Sequence, residues 1–345
     1  METVFIIEKL ILVVIIFTIT LVIAMYSTLA ERKIAGFMQD RPGPNRAGPG
    51  GILQPLCDGG KFFFKEEIIP AGAHKGLFIL GPTLTIITAL IGSAVIPWGQ
   101  TLSIGGNEVV LQVADINIGV LYVFGVVALS VYGVMIGGWA SNNKYSLLGA
   151  IRAASQSISY ELGMGLSLIA LLMVTGTLSF SEIVAQQSGF VNWNVFVQPL
   201  GFLLFMICSF AECSRVPFDL PECETELVGG YHTEYSSMKL GLYMFSEYIH
   251  MFVASAVMSS LYFGGYNFPF MYDLGLSQNW ITIIGVIVFF AKIFGFIFFF
   301  MWVRWTLPRF RFDQLMHLGW KVLIPLSILN IVLTAVFTLV KDYYF

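Results

Sequence analysis

The chain has 21 Asp and Glu in 345 residues, and six of them fall in one stretch, AECSRVPFDLPECETELVGGYHTEYSS, residues 211–237. They are Glu212, Asp219, Glu222, Glu224, Glu226 and Glu234, and Arg215 is the one Arg or Lys among them. Two more acids, Glu161 and Glu247, interrupt runs that are otherwise apolar. A carboxyl withdrawn from water keeps its proton to higher pH, because its charged form loses solvation. Once it titrates near neutrality it can accept a proton and pass it on. Proton transfer is therefore the chemistry this pattern offers. The four cysteines, Cys57, Cys208, Cys213 and Cys223, form no C-x-x-C pair and have no His partner at ligand spacing. They read as buried free thiols, and the chain is expected to supply no metal site and no iron–sulfur ligands of its own.

A charge run is ordinarily a solvated loop. Here it is interleaved with Phe218, Leu220, Leu227 and Val228 and adjoins Glu212 in an apolar run. Pro217 and Pro221 exclude a continuous helix through "PFDLPE". Glu222, Glu224 and Glu226 alternate, so an extended strand points them one way and a helix spreads them. Gly229 and Gly230 then permit a tight turn.

The elements that must position these groups are membrane helices. Hydrophobic residues make up 57% of the chain, charged residues 11% and aromatics 15%, and the mean hydropathy is +0.80. Soluble domains carry about 25% charged residues, so a water-covered globule is excluded. Apolar runs near 20 residues mark bilayer crossings. Eight are expected, at about 4–30, 76–97, 116–140, 157–178, 197–217, 237–264, 280–305 and 319–340, in a single all-α polytopic domain over 1–345. The first run is too long for the core of a signal peptide and reads as a retained span. Gly133, Gly137 and Gly163 permit close helix packing.

Fifteen of the 18 Lys and Arg fall in the loops after spans 1, 3, 5 and 7, and the loops at 98–115, 179–196 and 265–279 hold none. Basic loops face the cytoplasm, so both termini are expected on the periplasmic or intermembrane side. Among the outer loops, QTLSIGGNEVVLQVAD (100–115) alternates weakly and predicts a small hairpin. In the first inner loop, Gln54, Asp58, Lys61 and Lys65 oppose Ile52, Leu56, Gly60 and Phe63, which predicts an interfacial amphipathic helix. A lipid anchor accounts for that loop as well as a docking surface built on Arg32, Arg41, Arg46 and Asp58 does.

With those spans, Glu161 lies about one turn into span 4, Glu212 about two turns from the end of span 5, and Glu247 about three turns into span 6. Buried charge in a bilayer is costly and usually faces a wet interior. Three acids at stepped depths, running into one acidic loop, read as a proton path. Lys292, mid-span, is a candidate partner for one of them; His250, one turn from Glu247, could join the path but reads first as a packed neutral histidine.

Four motifs carry a resemblance across nearly the whole chain: AERKIAGFMQDRPGPNRAGPGGILQPLCDGGKFFFKE, ASQSISYEL, AECSRVPFDLPECETELVGGYHTEYSSMKLGLYMFSEY and WVRWTLPRFRFDQLMHLGWKVLIP. Together they resemble the quinone-end membrane subunit of respiratory complex I, the proton-translocating NADH:quinone oxidoreductase of bacteria and mitochondria. The resemblance implies a subunit without a redox centre, with FMN and iron–sulfur clusters in hydrophilic partner subunits and quinone as substrate. It implies a quinone chamber lined by Arg32, Arg41, Arg46, Asp58, Arg215, Phe218, Asp219, Glu222, Glu224 and Arg304. It further implies a proton path through Glu161, Glu212, Glu226 and Glu247, small membrane subunits as lateral neighbours, and a bacterial inner membrane or, alternatively, a mitochondrial one. Two other readings stand beside it: a related membrane subunit of a hydrogenase or formate-hydrogenlyase complex, and an independent cation-coupled transporter. Co-purifying subunits separate the first. Internal repeats with broken helices would mark the second, and none is visible.

Overall fold

A computed structural model of the chain describes residues 2–104, 107–189, 192–221, 224–271 and 275–344, and within these every side chain except those of 2–5, 104, 107, 224, 225, 342 and 344. In chain order the helices are α1 (Glu2–Met38), α2 (Gln54–Phe64), α3 (Lys75–Ile91), α4 (Gly119–Ala140), α5 (Lys144–Thr175), α6 (Phe180–Gln186), α7 (Asn194–Val197), α8 (Pro199–Glu212), α9 (Glu224–Leu227), α10 (Ser237–Tyr262), α11 (Gln278–Thr306), α12 (Phe312–His317) and α13 (Ile324–Tyr344). A π-helical turn, Leu318–Leu323, joins the last two. The one sheet among the described residues is the antiparallel pair β1 (Thr101–Ile104) and β2 (Asn107–Val110), in the loop where alternation predicts a hairpin.

Seven helices are long and apolar enough to cross a membrane, and the fifth expected span is a shorter apolar helix, α8, of 14 residues. Large apolar side chains such as Val14, Ile87, Leu121, Phe298 and Val336 stand exposed around the outside of the bundle. In water that would be a liability, whereas in lipid it is the expected surface. The core is aromatic-rich, with Phe205, Phe252, Tyr262, Phe289 and Phe300 almost fully buried between helices.

Small residues bring helices into close approach where the sequence places them. A Cβ on Gly133 would meet the Thr85 methyl at 2.6 Å, and one on Gly163 would meet Cys208 Sγ at 3.2 Å. At Gly137 a Cβ would collide with the Tyr243 hydroxyl, so α3, α4 and α10 pack only because that position is glycine.

Three helix boundaries differ from the hydropathy reading. Helix α1 runs past the apolar run to Met38, because LAERKIAGFM contains no proline to stop it before Pro42. Helix α5 starts at Lys144, thirteen residues before the expected span. Asn143 caps it by accepting from Tyr145 N at 2.9 Å, and Gly176 ends it in a left-handed turn at φ 68°. The polar first half of α5 is covered by the loop after α8 instead of by lipid: Gly149 lies against the backbone of Gly230 and Tyr231. Finally, α8 ends at Glu212 instead of near Pro217, and Ser214 turns the chain at φ 48°. Glu161 therefore lies 17 residues, roughly 25 Å, into its helix, and Glu212 is the last residue of its own.

Candidate functional site

The loop after α8 is held against the membrane helices by polar side chains that the apolar environment leaves few alternatives. Gln156 on α5 donates from Nε2 to the Ala211 carbonyl at 2.8 Å and to the Phe218 carbonyl at 2.7 Å, which spans the turn between them. Phe218 packs edge-on to Tyr160 at 5.3 Å and against Phe310 at 5.5 Å. Asp219 is buried and pairs with Arg309 at 2.8 Å. The same loop dips between helices: Ser214 and Pro221 share a cavity wall with Thr85, in the middle of α3, and with Ser130 and Val131, in the middle of α4.

Arg215 is the charge centre of this loop. Its side chain is 4% exposed and its Nη1 donates to Glu31 Oε2 at 3.2 Å. Its Nη2 lies 3.9 Å from Glu247 Oε2, and its guanidinium stacks 4.2 Å over the Tyr248 ring. Burial disfavours its charge, but Tyr248, Glu31 and Glu247 outweigh burial and hold its pKa above the usual arginine value. Glu31 in turn accepts from Arg304 at 2.6 Å and from the Tyr248 hydroxyl at 2.9 Å. One carboxylate thus binds two guanidiniums and a phenol in a nearly water-free setting, where charge-assisted bonds are strongest.

Tyr248 connects this centre to a large apolar cavity. The cavity lies between α1, α2 and α10, with Met25, Phe62, Phe63, Met244, Phe245 and Tyr248 on its walls. The Arg32–Asp58 ion pair, 2.6 Å long and partly exposed, also lines it. Arg32 is shared with a second cavity, where Arg41 and Trp305 stand. A long apolar molecule with a polar head fits the first of these, since its lining is mostly apolar and its charged groups are one ion pair, Arg32 and Asp58.

On the other side of Arg215, Glu247 accepts from the Tyr231 hydroxyl at 3.4 Å and lines a small cavity with Ser246, His250 and Glu212. Glu212 and His250 also line a further small cavity between α4, α8 and α10, with mostly apolar walls. Glu161 lies within Coulombic range of Glu212. Glu161 Oε1 and Glu212 Oε2 are buried without a hydrogen-bond partner among the described residues. Unpartnered acids in a membrane interior are expensive and mark functional positions.

The family is decided by comparison with known proteins. The model of the family described as NADH dehydrogenase matches residues 10–335. The chain is 68% identical over 330 residues to an NADH-quinone oxidoreductase H-type subunit of Cytophaga hutchinsonii, covering 96% of each protein. It is 60% identical over 344 residues to the NADH-quinone oxidoreductase H-type subunit of Flavobacterium johnsoniae, covering 99% of this chain and 98% of that one. It is 49% identical over 322 residues to one of the same type from Geobacter metallireducens, with 93% and 94% covered.

The chain belongs to the NADH dehydrogenase family.

Of the residues that resemblance to this family marks for the chamber, Arg32 and Asp58 face the large cavity, and Arg32 and Arg41 face its neighbour. Arg215 and Arg304 meet on Glu31, while Phe218 and Asp219 form the floor of the loop. Arg46 stands apart: it is exposed and pairs with no acid among the described residues. Glu222 and the side chain of Glu224 lie outside the described residues. The backbone of 224–227 is a short helix, α9, and not an extended strand. Glu226 is partly exposed and pairs with Arg152 at 2.6 Å, on the surface side of α5.

Two expectations are corrected. Among the described residues Lys292 pairs with no acid, and so with none of Glu161, Glu212 and Glu247; its Nζ donates to the carbonyls of Phe263, Gly265 and Asn267 at 2.7, 2.8 and 2.6 Å and sits 4.7 Å from the Trp193 ring centre. These carbonyls belong to the turn that follows α10, and the ammonium satisfies backbone acceptors there that the apolar surroundings would otherwise leave unpaired. Cys57 is exposed on α2, whereas Cys208 and Cys213 are buried thiols. Sequence reasoning missed Glu31, Tyr248, Gln156 and Arg309. The signal available for Glu31 was the unbroken helical run through Met38, which keeps it on a membrane helix instead of in a loop.

Proposed function

We propose that this chain is the membrane subunit in which quinone reduction by an NADH-quinone oxidoreductase is coupled to proton movement. The enzyme is a multi-subunit assembly in which this subunit carries no redox centre, and FMN and iron–sulfur clusters belong to hydrophilic partners on the basic, cytoplasmic side. Small membrane subunits flank it. The chain forms one polytopic domain of eight crossings, α8 being the short one, in a bacterial inner membrane. Both termini are periplasmic, and α2 lies in the membrane interface.

In this reading quinone enters from the lipid through the cavity between α1, α2 and α10, with its isoprenoid tail on Phe62, Phe63 and Phe245. Arg32, Arg41, Asp58 and Arg304 line the approach, and Arg215, Phe218 and Asp219 its inner end, together with Glu222 and Glu224. Reduction of a quinone to a quinol consumes two protons. That demand changes the charge near Glu31 and Arg215, and Glu247, Glu212 and Glu161 respond because they share low-dielectric surroundings. Glu226 is the exposed end of the path.

The observation that carries the reading is the unbroken sequence of contacts and shared cavity walls from the large cavity, through Tyr248, Glu31, Arg215 and Glu247, to Glu212. The test is Glu212→Gln in the assembled complex, reconstituted in liposomes with NADH and quinone. Coupled turnover and internal acidification should both fall at least about tenfold. A variant that assembles and keeps both at the wild-type level overturns the reading.

A further inference from the structure

His250 stands on α10 three residues after Glu247, hence on the same side of that helix. The small cavity that Glu247 lines and the small cavity beyond it have only three lining residues in common: Glu212, Cys213 and His250. Among the described residues no protein group hydrogen-bonds to the His250 imidazole, which faces both spaces. We propose that His250 carries protons between Glu247 and Glu212, an assignment that rests on the function proposed above.

The chemistry follows from the ring. A neutral imidazole has an acceptor nitrogen and an N–H on opposite edges. Protonated Glu247 gives its proton to the acceptor nitrogen, and the opposite N–H gives its own to the Glu212 carboxylate. His250 ends neutral in the other tautomer and a ring flip restores it, so charge and protons balance. Two carboxylates facing one cavity repel when both are ionised, and a neutral donor–acceptor between them lets the proton pass without a bare charge in the apolar wall.

The surroundings are consistent with that role. The titratable groups that face His250 across the cavities are Glu212 and Cys213 from the end of α8, Glu247 and Tyr243 from α10, and Tyr231 from the loop. Arg215 acts at one remove, through its 3.9 Å approach to Glu247. What α3, α4 and α5 present to these cavities is Thr85, Ser130, Ser157 and apolar side chains, which do not titrate.

The experiment compares His250→Gln, His250→Phe and Glu212→Gln in the assembled complex, reconstituted in liposomes, with native gels reporting assembly. Quinone reduction and proton uptake per NADH are read together. Both His250 variants should lose coupled turnover at least about tenfold. In His250→Ala, added imidazole should restore part of it, while pyrrole, alike in shape but with no acceptor nitrogen, should not. If His250→Gln keeps wild-type turnover and proton yield while Glu212→Gln loses both, His250 is no carrier and the carboxylate path stands without it. If Glu212→Gln also keeps both, the proposed function fails and this assignment with it. Rescue by pyrrole as good as by imidazole, or loss of assembly in every His250 variant, assigns the residue to packing and overturns the proposal.

Discussion

Glu31 and Arg215, 184 positions apart in the chain, meet in a buried ion pair 3.2 Å long, between the apolar cavity and the intramembrane acids. Neither residue has an apolar substitute in that position, because each is already committed to further partners. Glu31 also holds Arg304 and Tyr248, and Arg215 also faces Glu247. The last turns of α1, the loop after α8 and the end of α11 are tied together at this one point.

Glu31→Gln should therefore cost more than a surface ion pair does. It leaves two guanidiniums, one of them buried, without their carboxylate, and breaking one partner out of a buried pair costs about 3–5 kcal/mol. The yield of assembled complex and its thermal midpoint should both drop. Arg215→Lys should fail to retain stability, since an ammonium reproduces neither the stacking on Tyr248 nor the fork to two carboxylates. An unchanged midpoint for Glu31→Gln would show that the pair contributes no net stability.

The cavity between α1, α2 and α10 can be filled without touching a charge. A Cβ on Gly241 meets the Phe62 ring at an ordinary 3.5 Å, so Gly241→Ala should be tolerated. Leu242→Trp places a large ring in the passage. The KM for a long-tailed quinone should rise about tenfold, equivalent to about 1.4 kcal/mol, with a short-tailed analogue affected far less. Equal effects on both quinones would remove the cavity from the substrate's route.

Lys292→Met separates structure from proton traffic. The methionine fills the space but abandons three carbonyls in the turn after α10, a loss on the order of 3 kcal/mol at the usual worth of charged hydrogen bonds. The midpoint of the complex should fall, while the fraction that survives should pump protons at the normal ratio to NADH. Normal stability with lost pumping would place Lys292 on the path after all.

Much of this architecture is legible in sequence because it is local. Apolar length marks the long helices, alternation marks the hairpin at 101–110, and the spacing of Gln54, Asp58 and Lys61 marks α2. The crowding of acids in 211–237 marks the loop that links the two halves of the site. What sequence leaves open is set by partners far along the chain. Lys292 reads as an acid's partner until the turn after α10 is seen beneath it, and Glu31 reads as a loop charge until α1 carries it inward. The start of α5 is hidden for the same reason, since its polar half is covered by protein and hydropathy registers only lipid.

The shortness of α8 has an electrical consequence. Its 14 residues reach about 21 Å of a hydrocarbon core about 30 Å thick. In the orientation proposed above, with the first turn of α8 set at the periplasmic boundary, Glu212 would stand about a third of the thickness from the cytoplasmic face. A proton arriving there from the cytoplasm has crossed roughly a third of the transmembrane voltage, worth about 0.7 of the 2.3 kcal/mol that 100 mV exerts on a full crossing. Most of the work against the field then remains to be done beyond this residue, so the occupancy of Glu212 responds only weakly to membrane potential and mainly to the charge state of the quinone chamber.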